Sequence, residues 1–221
     1  MKLLFSALTK FVLGAICVGM LIFLPAWTLD YPNAYLFMAL LFIPMILMGA
    51  ILLIKNPALL EKRLDGKEKE KAQRGVLALS GIIFPLGFVI PALDFRFGWS
   101  SVPLWLVITA SVIFLAGYGT YAEVMRENAY LSRKIELQEG QELVSTGLYG
   151  IVRHPMYLAT LLMFLPIPLI LGSFYGLIPF ALYPAVIVTR IINEEKVLTK
   201  GLDGYAEYKK KVKYRLIPFV F

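Results

Sequence analysis

The chain has 221 residues and is 59% hydrophobic but only 17% charged. A soluble domain is usually about 45–50% apolar and about 25% charged, so this composition excludes an ordinary soluble domain. It predicts an all-α integral membrane protein. The net charge of +7 is no evidence for nucleic acid, because anionic lipid headgroups also attract basic residues.

Four uncharged stretches in the first half are each long enough for one membrane span. They cover residues 11–29, 31–54, 75–93 and 97–122, and a helix needs roughly 20 mostly apolar residues to cross the hydrocarbon core. The first stretch exceeds the usual apolar region of a signal peptide, and no A-x-A cleavage pattern follows it, so we expect a retained span. The single cysteine, Cys17, lies inside it and is expected to be a packed thiol.

The fifth uncharged stretch, residues 155–189, is too long for one span. As a single helix it would reach about 52 Å, against a hydrocarbon core of about 30 Å. Its middle reads LGSFYG, residues 171–176, which is typical of a turn. We therefore predict a tight hairpin of two helices, about six spans in all, and kinks at the four prolines of the arms, Pro166, Pro168, Pro179 and Pro184.

Six spans put both termini on one side of the membrane, together with 21 of the 22 basic residues. The positive-inside rule then predicts that the termini and the polar segments are cytoplasmic, in the cell membrane. Residues 55–74 are expected to be a solvated connector or an amphipathic interfacial helix. We divide the chain into a four-helix transmembrane region, 1–122, and a catalytic region, 123–221, which ends in a cytoplasmic helix and tail.

The polar segments 123–156 and 190–221 flank the predicted hairpin, so its two ends should bring them together. This places Arg153, His154 and Tyr157 near Arg190, Glu194 and Glu195. Arg190 and Glu194 are four residues apart and share a helix face. They could form an ordinary salt bridge, or the arginine could bind an anionic substrate group while the glutamate accepts hydrogen bonds from a ligand.

His154 is the only histidine of the chain, and Pro155 follows it. The proline biases His154 away from helical geometry, so the imidazole is predicted to project from a rigid turn just before a helix. It could be structural, or it could donate, accept or shuttle a proton. Arg153, His154 and Pro155 would then form a rigid turn at the entrance to the hairpin.

Several other functions lack their motifs. The sequence has no P-loop, no convincing dinucleotide fingerprint and no zinc-ligand spacing. The predicted spans carry few charges, which argues against a charged ion pathway. Because the polar chemistry gathers at one membrane face, the pattern favours an enzyme that acts on a lipidic molecule over a pump.

Three segments in order carry a family resemblance: TGLYGIVRHPMYLA, RIINEEKVL and YAEYKKKVKYRLIP. With a hairpin between the first two, they resemble the isoprenylcysteine carboxyl methyltransferase family and its phospholipid methyltransferase relatives. The resemblance covers roughly residues 138–218. It departs from the usual pattern at Ala159, where glycine is frequent, and at Leu202–Gly204, which is one residue shorter.

The resemblance implies S-adenosylmethionine as the methyl donor and a lipidic or prenylated substrate that enters from the bilayer. Arg190 would contact the substrate carboxylate. Arg190 and His154 are the predicted catalytic residues. The residues that would contact the cofactor are Gln138, Gln141, Glu142, Leu143, Val144, Tyr149, His154, Pro155, Met156, Tyr157 and Glu194. No metal and no nucleic acid are expected.

Transfer of an activated methyl to a carboxylate needs orientation more than a strong base, and positioning can contribute about 7–11 kcal/mol. A phospholipid amine as acceptor is a second interpretation, and it would need a base such as His154 or Glu195. A third is an NADPH-dependent sterol or enone reductase, which would need additional basic residues for the phosphates. A non-catalytic transporter or scaffold is a fourth.

Overall fold

A computed structural model describes residues 2–64, 74–131 and 140–221. These residues form an all-helical bundle and contain no strand. The α-helices are α1 (Lys2–Ala26), α2 (Pro32–Lys55), α3 (Pro57–Leu64), α4 (Arg74–Phe97), α5 (Leu104–Glu127), α6 (Pro155–Phe164), α7 (Ile167–Ile170), α8 (Leu177–Phe180), α9 (Tyr183–Gly201) and α10 (Tyr205–Lys211), and a 3₁₀ helix spans Gly147–Gly150.

Five helical segments within the described residues are long and apolar enough to cross a membrane: Lys2–Ala26, Pro32–Lys55, Ala78–Phe97, Leu104–Glu127 and Leu177–Gly201. A sixth apolar segment, Pro155–Ile170, is shorter. The predicted all-α membrane fold is therefore confirmed, and the protein is an integral membrane protein. The count of about six spans holds only if the short segment also crosses; it is about 24 Å long at 1.5 Å per residue.

The predicted hairpin is present, and prolines interrupt both of its arms. The first arm breaks between α6 and α7 at Pro166, and the second breaks between α8 and α9, where Leu182 precedes Tyr183 and Pro184. Proline removes a backbone donor and its ring clashes with the preceding helical turn, so a helix bends or ends there. Gly172 takes φ +83° in the turn, a conformation that glycine adopts without strain.

The turn of the hairpin lies at one end of the bundle, which we call the turn end. Here the buried Asp94 carboxylate accepts hydrogen bonds from the Ser100 N–H (2.7 Å), from the Ser100 hydroxyl (2.6 Å) and from the Ser173 hydroxyl. The Asn33 amide donates to the carbonyl of Ile170 (2.8 Å). The hairpin is thus attached to the α4–α5 loop and to the start of α2.

The opposite end, which we call the basic end, holds the N-terminus of α1, the start of α6 and the C-terminal ends of α2, α5 and α9. Between the two ends, α1 packs against α4 and α5 packs against α6. Gly117 of α5 permits this close approach, because a Cβ there would lie 2.9 Å from the backbone nitrogen of Met163. The division of the chain at residue 122 stays a prediction.

The structure corrects the expectation for Cys17 and decides between the two expectations for part of the 55–74 segment. Cys17 is exposed on the outer side of α1, so it is not the packed thiol that we expected. The reason is the helical rotation of α1, which buries Ile22 and Ala26 instead. Residues Pro57–Leu64 of the 55–74 segment form a helix with Leu59 and Leu60 buried, so this part is not a solvated connector. Residues 65–73 lie outside the described residues.

Candidate functional site at the basic end

The Arg153–Pro155 turn is held by the C-terminal segment of the chain. The backbone N–H of Arg153 donates to the carbonyl of Tyr214 (2.9 Å), and that of His154 donates to the carbonyl of Arg215 (2.8 Å). His154 is the N-cap of α6 with φ −128°, and Pro155 begins the helix. Proline suits this first position because its missing N–H would have no helical partner there. The predicted turn before a helix is confirmed.

Arg153 is buried and makes an ion pair with Glu195. Its Nε donates to Glu195 Oε1 (2.7 Å), and its Nη1 donates to the carbonyls of Val212 (2.7 Å) and Lys213 (2.8 Å). The other oxygen of Glu195 accepts a hydrogen bond from Arg215 Nε (3.0 Å). A buried charge is tolerated when it is paired and hydrogen-bonded. This network therefore joins α9, the turn and the C-terminal tail.

His154 lies between two carboxylates and is 4% exposed. Its Nδ1 is 3.9 Å from Glu194 Oε2, and its Nε2 is 3.5 Å from Glu195 Oε1. Nε2 is one of two buried side-chain polar atoms that have no hydrogen-bond partner among the described residues; the other is the hydroxyl of Tyr205. A buried polar atom usually has a partner, and the carboxylate nearest to His154 Nε2 is that of Glu195.

The 3₁₀ helix that precedes the turn positions Tyr149. Its hydroxyl accepts a hydrogen bond from the Asn128 amide (2.9 Å), and its carbonyl accepts one from the Tyr208 hydroxyl (2.7 Å). The N–H of Leu148 donates to the Glu127 carboxylate (3.0 Å). Gly147 takes φ +52°, and a Cβ there would lie 1.5 Å from Glu127 Oε1, so this position requires glycine.

Burial keeps Tyr149, Tyr205 and Tyr208 neutral. Desolvation is the largest cause that raises the pKa of Tyr149 and of Tyr205 well above the usual value. Desolvation also raises the pKa of Tyr208 to about 12. Because their pKa values lie above neutral pH, these hydroxyls remain hydrogen-bond donors.

Arg190 lies across from the turn on α9, beside Tyr157. Its Nε is 3.4 Å from the Tyr157 hydroxyl, and its Cζ is 5.9 Å from the centre of the ring. Glu194, one helical turn further along α9, is 28% exposed at its side chain. The predicted meeting of the two hairpin ends is therefore confirmed.

These groups surround one cavity of about 930 Å³. Its polar part lies at the basic end, between the α6 turn, α9 and α10. Its apolar part extends along α1 and α2, where the lining includes Leu8, Phe11, Met45 and Met48. A single space thus has a polar part and a long hydrocarbon-like part.

The structure places most of the predicted site residues in this cavity. Its lining includes Gln141, Glu142, Leu143, Val144, Tyr149, His154, Met156, Tyr157, Arg190 and Glu194. Pro155 is buried and shapes the start of α6, but it is not among the lining residues. Glu195 does not line the cavity either, whereas Arg153, its ion-pair partner, does. Gln138 lies outside the described residues, and the roles of all these residues stay predictions.

Sequence analysis missed several residues of the cavity wall. Lys10 and Arg63 line it, although the first lies in the N-terminal segment and the second in a segment that we expected to be a solvated connector or an interfacial helix. Tyr121 of α5 and Tyr205 of α10 also contribute. The one signal for Arg63 was the pair Leu59 and Leu60 just before it, since two apolar residues inside a charged block indicate a buried face.

Comparison with known proteins gives one family match. Residues 104–203 match the model of the phospholipid methyltransferase family. This segment contains α5, the Arg153–Pro155 turn, the hairpin, and Arg190 and Glu194 of α9.

Three relatives are similar to this chain over different lengths. The uncharacterized protein YpbQ of Bacillus subtilis is 28% identical over 162 residues, which cover 69% of this chain and 95% of YpbQ. The Delta(14)-sterol reductase TM7SF2 of Mus musculus is 37% identical over 86 residues, or 37% of this chain. The Delta(14)-sterol reductase of Methylotuvimicrobium alcaliphilum is 23% identical over 136 residues, or 55% of this chain.

The chain spans only 20% of the mouse reductase and 32% of the bacterial one. The phospholipid methyltransferase match covers the segment that carries the predicted site, whereas it does not distinguish the isoprenylcysteine members from other members. Together, the match and the membrane-spanning helices support the predicted phospholipid methyltransferase superfamily and, with it, a membrane methyltransferase.

Proposed function

We propose that the protein is an S-adenosylmethionine-dependent methyltransferase that methylates a lipidic acceptor, and that this acceptor is the carboxylate of an isoprenylcysteine-like molecule. The observation that carries the proposal is the single cavity with a polar part at the α6 turn and an apolar part along α1 and α2. One site could thus hold a polar cofactor beside the headgroup of an amphiphile. We further propose that the termini and the site face the cytoplasm.

The polar part has groups that suit S-adenosylmethionine. Glu194 offers a carboxylate to the cationic portion of the cofactor, and Tyr149 and Tyr157 offer aromatic surfaces. His154 and Tyr205 also line this part of the cavity and could contact the cofactor. When bound, the cofactor supplies a methyl group that is already activated on a sulfonium.

The acceptor carboxylate would be oriented by Arg190, whose guanidinium can form two parallel hydrogen bonds to a carboxylate. Tyr157 holds this guanidinium from one side. The apolar part of the cavity would take the prenyl or alkyl chain and exclude water from it. A carboxylate nucleophile is ionised at neutral pH, so no side chain must remove a proton from it.

Two specific observations keep a reductase as a second candidate. Two of the relatives are named Delta(14)-sterol reductases. The cavity also has basic residues beyond Arg190, namely Lys10 and Arg63, which could contact the phosphates of NADPH. An amine acceptor is a further variant of the methyltransferase proposal, and the name of the matching family favours it.

Calorimetric titration of the detergent-purified protein with S-adenosylmethionine and, in parallel, with NADPH tests the proposal. We expect binding of S-adenosylmethionine, loss of that binding in Glu194→Ala, and no change in Glu207→Ala, an exposed glutamate of α10. Binding of NADPH alone would favour the reductase, and binding of neither ligand by a folded sample would refute both.

The acceptor is tested with a radioactive methyl donor. We expect label to enter an S-farnesyl cysteine derivative that has a free carboxylate, and not the corresponding amide. Label in an aminophospholipid instead would assign the amine variant. Arg190→Gln should reduce labelling of the carboxylate while it leaves binding of S-adenosylmethionine within about twofold, because the lost hydrogen bonds are those to the acceptor.

A further inference from the structure

Helix α3 is attached to the site, although its segment was expected to be a solvated connector or an interfacial helix. The Asn56 side-chain oxygen accepts a hydrogen bond from the N–H of Leu59 (3.1 Å) at the start of this helix. Leu59 is 1% exposed and belongs to the apolar cluster that includes Val124 and Tyr149. At its other end, Lys10 Nζ donates to the carbonyl of Leu64 (2.6 Å). The helix is therefore held at both ends against the cavity.

Arg63 of this helix reaches the cavity wall beside the predicted cofactor residues. Its Nη2 donates to the Tyr121 hydroxyl, and its Cζ is 5.3 Å from the centre of that ring. Its Nη1 is 3.9 Å from the sulfur of Met156. Since Met156 precedes Tyr157, which contacts Arg190, the two guanidiniums approach neighbouring residues of α6.

Arg63 also lies where the polar and apolar parts of the cavity meet. It contacts Met156 at the start of α6, next to the polar residues of the turn, and it shares the cavity lining with the apolar residues Leu60 and Met48. Burial of a hydrocarbon chain is favourable, whereas burial of an unpaired charge is costly. The charged headgroup of an amphiphile would therefore lie at this junction.

We infer that Arg63 is a specificity-determining residue which, together with Arg190, selects an amphiphile with an anionic headgroup whose hydrocarbon chain lies along α1 and α2. This inference rests on the proposed function for the identity of the reaction, and it names the charge of the substrate class. A guanidinium suits this role because its planar set of N–H donors matches carboxylate and phosphate oxygens. Lys10 adds a third positive charge to the same lining.

The test measures binding of radiolabelled hexadecyl phosphate to the protein in phosphatidylcholine nanodiscs, with empty nanodiscs subtracted. Arg63→Gln should weaken this binding about ten- to a hundredfold, which is the usual effect of losing a hydrogen bond to a charged group. Lys62→Gln is the matched control, because it removes one charge from the same helix and Lys62 does not line the cavity. Its binding should stay within about twofold of the original protein.

Two further binding measurements identify which part of the ligand is recognised. Hexadecanol should bind equally to Arg63→Gln and to the original protein, because it carries no charge. Inorganic phosphate should not compete with hexadecyl phosphate at equal concentration, since it lacks the chain. Arg63→Met replaces Arg63→Gln if the latter does not fold, and the same loss is expected.

The inference would be overturned by unchanged binding of hexadecyl phosphate in the Arg63 variants, by an equal loss in Lys62→Gln, or by competition from inorganic phosphate. Loss of S-adenosylmethionine or NADPH binding in Arg63→Gln, with amphiphile binding retained, would assign Arg63 to the cofactor and would also overturn it. Failure of the original protein to bind S-adenosylmethionine refutes the proposed methyltransferase alone, because amphiphile binding is measured independently.

Discussion

Two glycines of α5 give the sharpest test of how the hairpin is held. A Cβ on Gly117 would lie 2.7 Å from Met163 Cγ, 2.9 Å from the Met163 backbone nitrogen and 3.1 Å from the Ala159 carbonyl oxygen. A Cβ on Gly119, two residues further along, would meet nothing within 4 Å. The backbone atoms of α6 cannot move away from position 117 unless the whole helix shifts.

The expected magnitude follows from two opposing effects. An added methyl group in a well-packed contact usually costs about 1–3 kcal/mol. Replacing glycine by alanine in a helix contributes about 0.8–1 kcal/mol of stability, and this gain is common to both positions. The free energy of unfolding of Gly117→Ala should therefore be about 1–3 kcal/mol lower than that of Gly119→Ala, because only the packing cost differs.

The assay is unfolding by sodium dodecyl sulfate in mixed micelles, followed by circular dichroism on both variants and the original protein. A shift of α6 would also move His154 at its start, so Gly117→Ala should bind S-adenosylmethionine more weakly. If Gly117→Ala is as stable as Gly119→Ala, the close α5–α6 contact is wrong.

Three further predictions test other parts of the structure. Gly147→Ala should destabilise the protein by about 1–3 kcal/mol, because the methyl group displaces the Glu127 carboxylate from its backbone N–H donor. Gly150→Ala is the control and should change stability little, because its Cβ would lie 3.4 Å from its nearest neighbour. Thermal unfolding in detergent compares the two variants. Arg153→Met should cost about 3–5 kcal/mol, because it leaves a buried carboxylate without its closest cation; a melting temperature equal to that of the original protein would contradict the pair. Asp94→Asn should lower stability by about 1–3 kcal/mol, since two serine hydroxyls and one N–H lose a charged acceptor. The basic end is distant from Asp94, so affinity for S-adenosylmethionine, measured by titration calorimetry, should not change.

Much of the architecture follows from local patterns in the chain. Uncharged stretches of sufficient length predicted the spans, and the glycines and serine of residues 171–176 predicted the hairpin turn. Pro155 predicted where α6 begins, and the hairpin predicted that Arg190 and His154 would meet. These features depend on chain length, proline geometry and connectivity, all of which can be read along the sequence.

Patterns along the chain were enough to predict the membrane helices, their turn and the side chains that gather at the basic end. Which of these side chains line the cavity depends on how the helices pack against one another. Glu194 lines the cavity, whereas Glu195 pairs with Arg153 and does not line it. Neighbouring residues on a helix point about 100° apart, and the packing of α9 sets its rotation. Arg63 reaches the same cavity because Leu59, on the same helix, is buried in a cluster with Val124 and Met125 of α5. These residues are more than sixty positions away, and no local pattern specifies that they come together.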